Sequence, residues 1–136
     1  MIGANMGGET NLKALLRQMR PVLHAAPYGY GMIVAGQSVP KGPVFARIVE
    51  DEGTTLIAPL AELAALGLQG LQPWARISLL VHSDLAAVGL TAAIAAALTA
   101  ENISANVVAG YFHDHIFVQW DRSTDAMAAL KALSDV

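Results

Sequence analysis

Two short stretches hold most of the side chains that could do chemistry, His82-Ser83-Asp84 and His113-Asp114-His115. The first contains the residue types of a hydrolytic triad, but consecutive residues of a strand point to opposite faces. A triad needs its nucleophile, base and orienting acid within hydrogen-bond reach of one another. Ser38, in Gly36-Gln37-Ser38-Val39-Pro40, lacks the Gly-x-Ser-x-Gly elbow. In the second stretch His113 and His115 share a strand face and could hold a metal, with His82 as a third ligand. No fourth ligand presents itself, and the spacing fits no zinc pattern. The competing reading is a hairpin corner in which Asp114 satisfies turn backbone groups. Recognition of a carboxylate by a protonatable histidine outranks the metal. Phosphate-binding loops, dinucleotide fingerprints and His-Glu-x-x-His are absent. Glu50-Asp51-Glu52 beside Gly53 reads as a solvated turn. The residues therefore predict no catalytic group, no metal, no cofactor and no enzyme.

The strongest local signal is the run Ser83-Asp84-Leu85-Ala86-Ala87-Val88-Gly89-Leu90-Thr91, which leads from a strand end into a helix. The free N–H groups at a helix start attract a carboxylate or phosphate, and a glycine permits close backbone approach. The alternative is structural: Ser83 or Asp84 caps the helix, and Gly89 lets it pack tightly.

These residues must be positioned by a chain of 136 residues, enough for one domain or two very small halves sharing a core. Hydrophobic residues make up 54% and charged residues 14%, with mean hydropathy +0.47. So little charge leaves too little polar surface for an isolated monomer, which predicts a homo-oligomer, a homodimer first. The longest uncharged stretch, Leu85 to Ala100, is too short and too rich in alanine to span a membrane. No signal peptide or cysteine is present, so the expected location is cytoplasmic. Net charge is −3 and the basic residues are scattered, which argues against nucleic acid.

Along the chain, residues 1–8 are small and Gly-rich and predict a mobile tail. Leu12, Leu15, Leu16 and Met19 form one helical stripe, with Thr10 as N-cap and Pro21 as the stop. Strand-like runs follow at 21–24, 28–35, 44–49 and 54–58, and then a short helix at 59–67 that starts at Pro59 and ends at Gly67. Residues 68–73 form the natural join. Beyond it the pattern predicts strand 74–82, helix 86–100, strand 103–110, strand 115–120 and helix 122–133, capped by Asp121 or Ser123. That order is most of a split βαβ unit, and its missing last strand must come from the first half or from a partner chain.

The stretch Ile77-Ser78-Leu79-Leu80-Val81-His82-Ser83-Asp84-Leu85-Ala86-Ala87-Val88-Gly89-Leu90-Thr91, followed by Asn102 to Val118, resembles a small bacterial family of stand-alone tandem ACT-domain proteins. These are similar to the regulatory region of aspartokinases. Gly8-Glu9-Thr10-Asn11-Leu12, Met19-Arg20-Pro21-Val22-Leu23 and Glu52-Gly53-Thr54-Thr55-Leu56 match the family's first half, so the resemblance covers about residues 8–134. It implies an α+β, ferredoxin-like (ACT) sandwich, with antiparallel sheets and helices on one face. An N-terminal ACT-like half (9–70) and a C-terminal ACT domain (71–136) would form the tandem pair.

In related ACT regions an amino-acid effector lies at an interface between ACT units, against the loop from first strand to first helix and the facing second strand. Carried over, the resemblance implies ligand-binding residues Ser83, Asp84, Val88, Gly89, Leu90 and Thr91 from the loop. Asn106, Val107 and Ala109 come from the second strand, with His113 and Asp114 beyond it. The expected function is a non-catalytic regulatory or sensor protein that binds a small, amino-acid-like ligand. The alternative is an interaction or dimerisation module that serves an unidentified protein partner and takes no small ligand.

Overall fold

The chain was described by a computed structural model that covers Gly8 and residues 10–135. Residues 1–7, expected as a mobile tail, lie outside the described residues, as do Glu9 and Val136. Gly8 itself is packed: a Cβ there would sit 2.3–2.5 Å from backbone atoms of His82, Ser83 and Asp84.

The elements are α1 (Leu12–Arg17), β1 (Pro21–Leu23), β2 (Tyr28–Val34), β3 (Ala46–Val49), β4 (Gly53–Pro59) and α2 (Leu60–Ala65). They continue with β5 (Trp74–Leu79), α3 (Leu90–Ala100), β6 (Asn106–Ala109), β7 (Asp114–Gln119) and α4 (Ser123–Ser134), the last entered through a 3₁₀ turn, Trp120–Arg122. Packing divides the chain into two units. One joins the residues up to His24 to those from Ala75 onward, and the other is Ala25–Trp74. The sequence reading groups residues 10–24 with the N-terminal half, whereas packing groups them with the C-terminal half. The cause is the α1 stripe, because Leu15 and Met19 are fully buried in one core with Ile77, Leu79, Ile94, Leu98 and Leu130.

In the first unit the strands run β1-β5-β7-β6. β1 lies antiparallel to β5 with Pro21 opposite Leu79 and Leu23 opposite Ile77. The last strand that the split βαβ unit lacked is thus supplied by the same chain. β6 and β7 form a hairpin that sets Asn106 opposite Phe117 and Ala109 opposite Asp114. Alternation then sorts the side chains. Ala75, Ile77, Leu79, Ile116 and Val118 face the core that Ile94, Leu98, Ala126 and Leu130 of the helices complete. Arg76, Ser78, His115 and Phe117 project from the opposite face.

The helix ends differ from expectation. Asn11, and not Thr10, is the N-cap of α1, and its Oδ1 accepts from the Ala14 N–H at 3.1 Å. Asn11→Ala is expected to cost about 1 kcal/mol, measured by urea denaturation. Neither Ser83 nor Asp84 caps α3. That helix starts four residues later than expected, with Gly89 in the N-cap position at φ +103°. α4 has no side-chain cap, and neither Asp121 nor Ser123 serves as one. Arg122 in the N-cap position instead pairs with Asp125 at 3.2 Å.

In the second unit β2 and β3 both pair antiparallel with β4, and α2 packs on β2 and β4. Leu56, Ala58 and Leu63 form its core, with Ile33, Val39, Val44, Leu68 and Leu71 around them. A Cβ at Gly29 or Gly31 would fall 2.6 Å from Leu60 or 2.5 Å from Leu68, so both glycines make room for the α2 segment. The β2–β3 connection, 35–45, holds no helix. Pro40, Pro43 and the left-handed Gly36 and Gly42 exclude one, and Arg47 clamps the loop by donating to the carbonyls of Pro40 and Gly42 at 2.7 Å each.

Candidate ligand-binding site

The loop from β5 to α3 closes over the sheet end where β6 and β7 meet. Asp84 organises it by accepting the Ala86 N–H at 2.7 Å, while the Ala87 N–H reaches the Asp84 carbonyl at 2.9 Å. These bonds tie residues 84–87 into a turn, and α3 starts only at Leu90. A cavity of about 70 Å³ lies beneath it, lined by Ser83, Asp84, Leu85, Ala87, Leu90, Thr91, Ala109 and Asp114.

Six residues expected at the site therefore come together: Ser83, Asp84, Leu90, Thr91, Ala109 and Asp114. The other five do not line the cavity. Val88 is 84% exposed and points to solvent. Gly89 shapes the loop from outside, where a Cβ would meet Leu12 at 3.2 Å. Asn106 lies at the far end of β6, with its amide donating to the Phe117 carbonyl, and Val107 packs against the core. His113 stands beyond the strand, and its buried Nδ1 has no hydrogen-bond partner among the described residues. Leu85, two-thirds exposed at the rim, and Ala87 also line the cavity and were missed, because an apolar loop residue carries no local signal of lining one.

Asp114 is the polar centre of the cavity. It is 8% exposed, and burial raises its carboxyl above the usual range, opposed by a 3.5 Å hydrogen bond from Ser83 and by the nearby His113. A carboxylate held there at a desolvation cost gains from a cationic partner. Leu90 and Thr91, the first residues of α3, line the same cavity, and a helix start favours an anion.

A second constellation was not foreseen. Ser78 Oγ lies 2.7 Å from His24 Nε2 and 2.8 Å from His115 Nδ1, and Arg76 approaches His115 Nδ1 at 3.3 Å. A guanidinium only donates, so His115 Nδ1 accepts, Ser78 donates to it, and His24 Nε2 donates to Ser78. Burial, with Arg76, His113 and His24 nearby, lowers the His115 imidazole to about 4. An imidazole held that low is too weak a base to activate a serine near neutral pH, so the Ser–His pair does not amount to a nucleophile. The alternation in Trp74-Ala75-Arg76-Ile77-Ser78 was readable; the meeting with β1 and β7 required the strand register.

The histidines weighed as metal ligands, and set aside in favour of no metal, form no three-ligand cluster among the described residues. His82 stacks on Phe112 and Tyr111, with ring centroids 5.2 and 6.3 Å away. Among the described residues no three His, Cys, Asp or Glu side chains could hold one ion, and no described helix is long and apolar enough to cross a membrane.

The signature of the ACT domain matches residues 7–75 and again 72–132. The chain belongs to the ACT-domain family. No curated protein matches its sequence. Among solved structures, a Vibrio cholerae protein described as of unknown function and a possible transport protein is 37% identical. It covers 90% of this chain and 95% of its own, with a TM-score of 0.75. An Agrobacterium tumefaciens protein shares the fold at 15% identity, covering 80% and 84%, with a TM-score of 0.65. So does the regulatory subunit of aspartate kinase from Thermus flavus, at 10% identity over 83% and 95%, with a TM-score of 0.60. The chain is thus a tandem ACT protein of the α+β, ferredoxin-like class. Its first ACT match spans both packing units: α1 and β1 of that match are built into the sheet and core of the other unit.

Proposed function

We propose that this ACT protein is a non-catalytic regulatory component that binds the head group of a free amino acid beneath the Ser83–Thr91 loop. The observation that carries the reading is a buried carboxylate, Asp114, in a small cavity that the first residues of α3, Leu90 and Thr91, also line. Asp114 would take an ammonium group, and the start of α3 would favour the carboxylate. At about 70 Å³ the cavity equals roughly two water molecules of liquid volume. It suits a head group whose side chain projects outward past the loop, and specificity then rests on residues at the rim such as Leu85 and Thr91.

The test is thermal denaturation of the wild type and of Asp114→Asn, each with the free amino acids and with their N-acetyl forms. A ligand at a hundred times its dissociation constant stabilises the folded state by about 2.7 kcal/mol. One or a few amino acids are expected to raise the midpoint of the wild type, and the N-acetyl forms, which lack the ammonium, are not. Asp114→Asn removes a carboxylate that burial disfavours and keeps an oxygen that can accept from Ser83, so the variant should fold while the response is lost. Equal responses of the two proteins would remove Asp114 from the site. No response to any amino acid would favour the alternative, an interaction module without a small ligand.

A further inference from the structure

We propose a second site, separate from the Ser83–Thr91 loop cavity: the cleft between the end of α1 and the end of β5, which takes the carboxylate of a small organic acid with an apolar tail. The cleft is lined by Gln18, Arg20, Leu80, Val81 and His82 and measures about 490 Å³, within the range of small-molecule pockets.

Its polar groups are available and its backbone is not. The Leu80 and Val81 N–H groups are taken by the carbonyls of Met19 and Arg20, at 3.0 to 3.4 Å. The side chains of Gln18 and Arg20 make no hydrogen bond or ion pair to another described residue. Among the described residues that line the cleft, Arg20 is the one with a permanent charge, and it is positive. The apolar part is also present: Leu80 is 46% exposed on the cleft, and His82 brings Phe112 and Tyr111, each more than half exposed, to its rim. A carboxylate on the Arg20 guanidinium would leave an aliphatic tail against Leu80 and the His82 ring.

Arg20 is held in a conformation that a side chain of its type seldom adopts. Its φ is +47°, and it precedes Pro21, which by itself disfavours helical backbone angles. Burial of Met19 and the hydrogen bonds from Leu80 and Val81 hold the turn. A glycine would make the same turn without strain, so an arginine here exchanges stability for a cation at the cleft.

That exchange gives a test in which the variant folds. Arg20→Gly is expected to raise the melting temperature in the absence of ligand, because the strain is relieved. The probes are hexanoate, acetate and hexanol at constant ionic strength, read by thermal shift and by chemical-shift changes at Leu80 and His82. Hexanoate should stabilise the wild type more than acetate, and hexanol should have no effect. Arg20→Gly should lose the hexanoate response, Arg20→Lys should keep part of it, and Asp114→Asn should keep all of it, which separates this site from the loop cavity. The proposal is overturned if Arg20→Gly responds to hexanoate like the wild type. It is also overturned if hexanol matches hexanoate, or if no carboxylate shifts the wild type.

Discussion

Ile94→Ala lowers the free energy of unfolding by about 2–4 kcal/mol, whereas Val88→Ala, only six positions earlier, changes it by less than about 0.5 kcal/mol. Ile94 is fully buried at the centre of α3, packed in the core that β5, β7 and all three helices of that unit share. Truncation removes its transfer free energy and leaves a cavity that well-packed neighbours fill poorly. Val88 is 84% exposed on the loop outside the cavity and loses almost nothing. Urea denaturation of both variants measures the contrast. A loss below about 1 kcal/mol at Ile94 would mean that α3 is not docked on the sheet as described, and the loop site built on its start would fall with it.

Acid is expected to destabilise the protein between pH 6.5 and pH 4, through the strand face that carries His115. The folded protein holds this imidazole at about 4, against an ordinary value of 6.5. The neutral form is therefore the native one, and the stabilisation is complete above pH 6.5. As pH falls from 6.5 toward 4 the unfolded chain takes up a proton that the folded chain refuses, and stability declines. Such a difference corresponds to roughly 3 kcal/mol for a fully desolvated group. Partial exposure and screening reduce the expected loss to about 1–2 kcal/mol. His24, lowered by burial and by Arg76, acts in the same direction. Asp114, raised by burial, opposes both below its own raised value, because there the folded state binds the extra proton. Unfolding measured at several pH values for the wild type and His115→Gln isolates the effect. The variant should show the flatter profile across this window, and parallel profiles would refute the assignment.

The periodic elements were legible because each depends on neighbours in sequence. The α1 stripe Leu12, Leu15, Leu16 and Met19, the alternation Ala75, Ile77 and Leu79, and the hairpin of β6 and β7 could be read from spacing alone. Boundaries failed where a local signal had two outcomes. Ser83 and Asp84 are good capping residues, yet Asp84 spends its carboxylate on the Ala86 N–H within the loop. The helix consequently waits for Leu90. Of the eleven residues expected at the ligand site, Ser83, Asp84, Leu90, Thr91, Ala109 and Asp114 line the cavity. Val88 and Asn106 do not, since the direction of a loop side chain and the length of a strand both depend on what lies across from them.

By itself the sequence determined the order of helices and strands and the apolar faces that must be buried, which follow from composition and from interactions within a few residues. The tandem ACT class was legible only through the resemblance of residues 77–118 to a known family. Tertiary structure alone decided that β1 completes the sheet beside β5, and that His24, Ser78 and His115 meet across three strands. It also placed Asp114 under the loop and Arg20 beside His82. Each joins residues that are distant in sequence, and strand register and helix docking, which no local propensity encodes, are what bring them together.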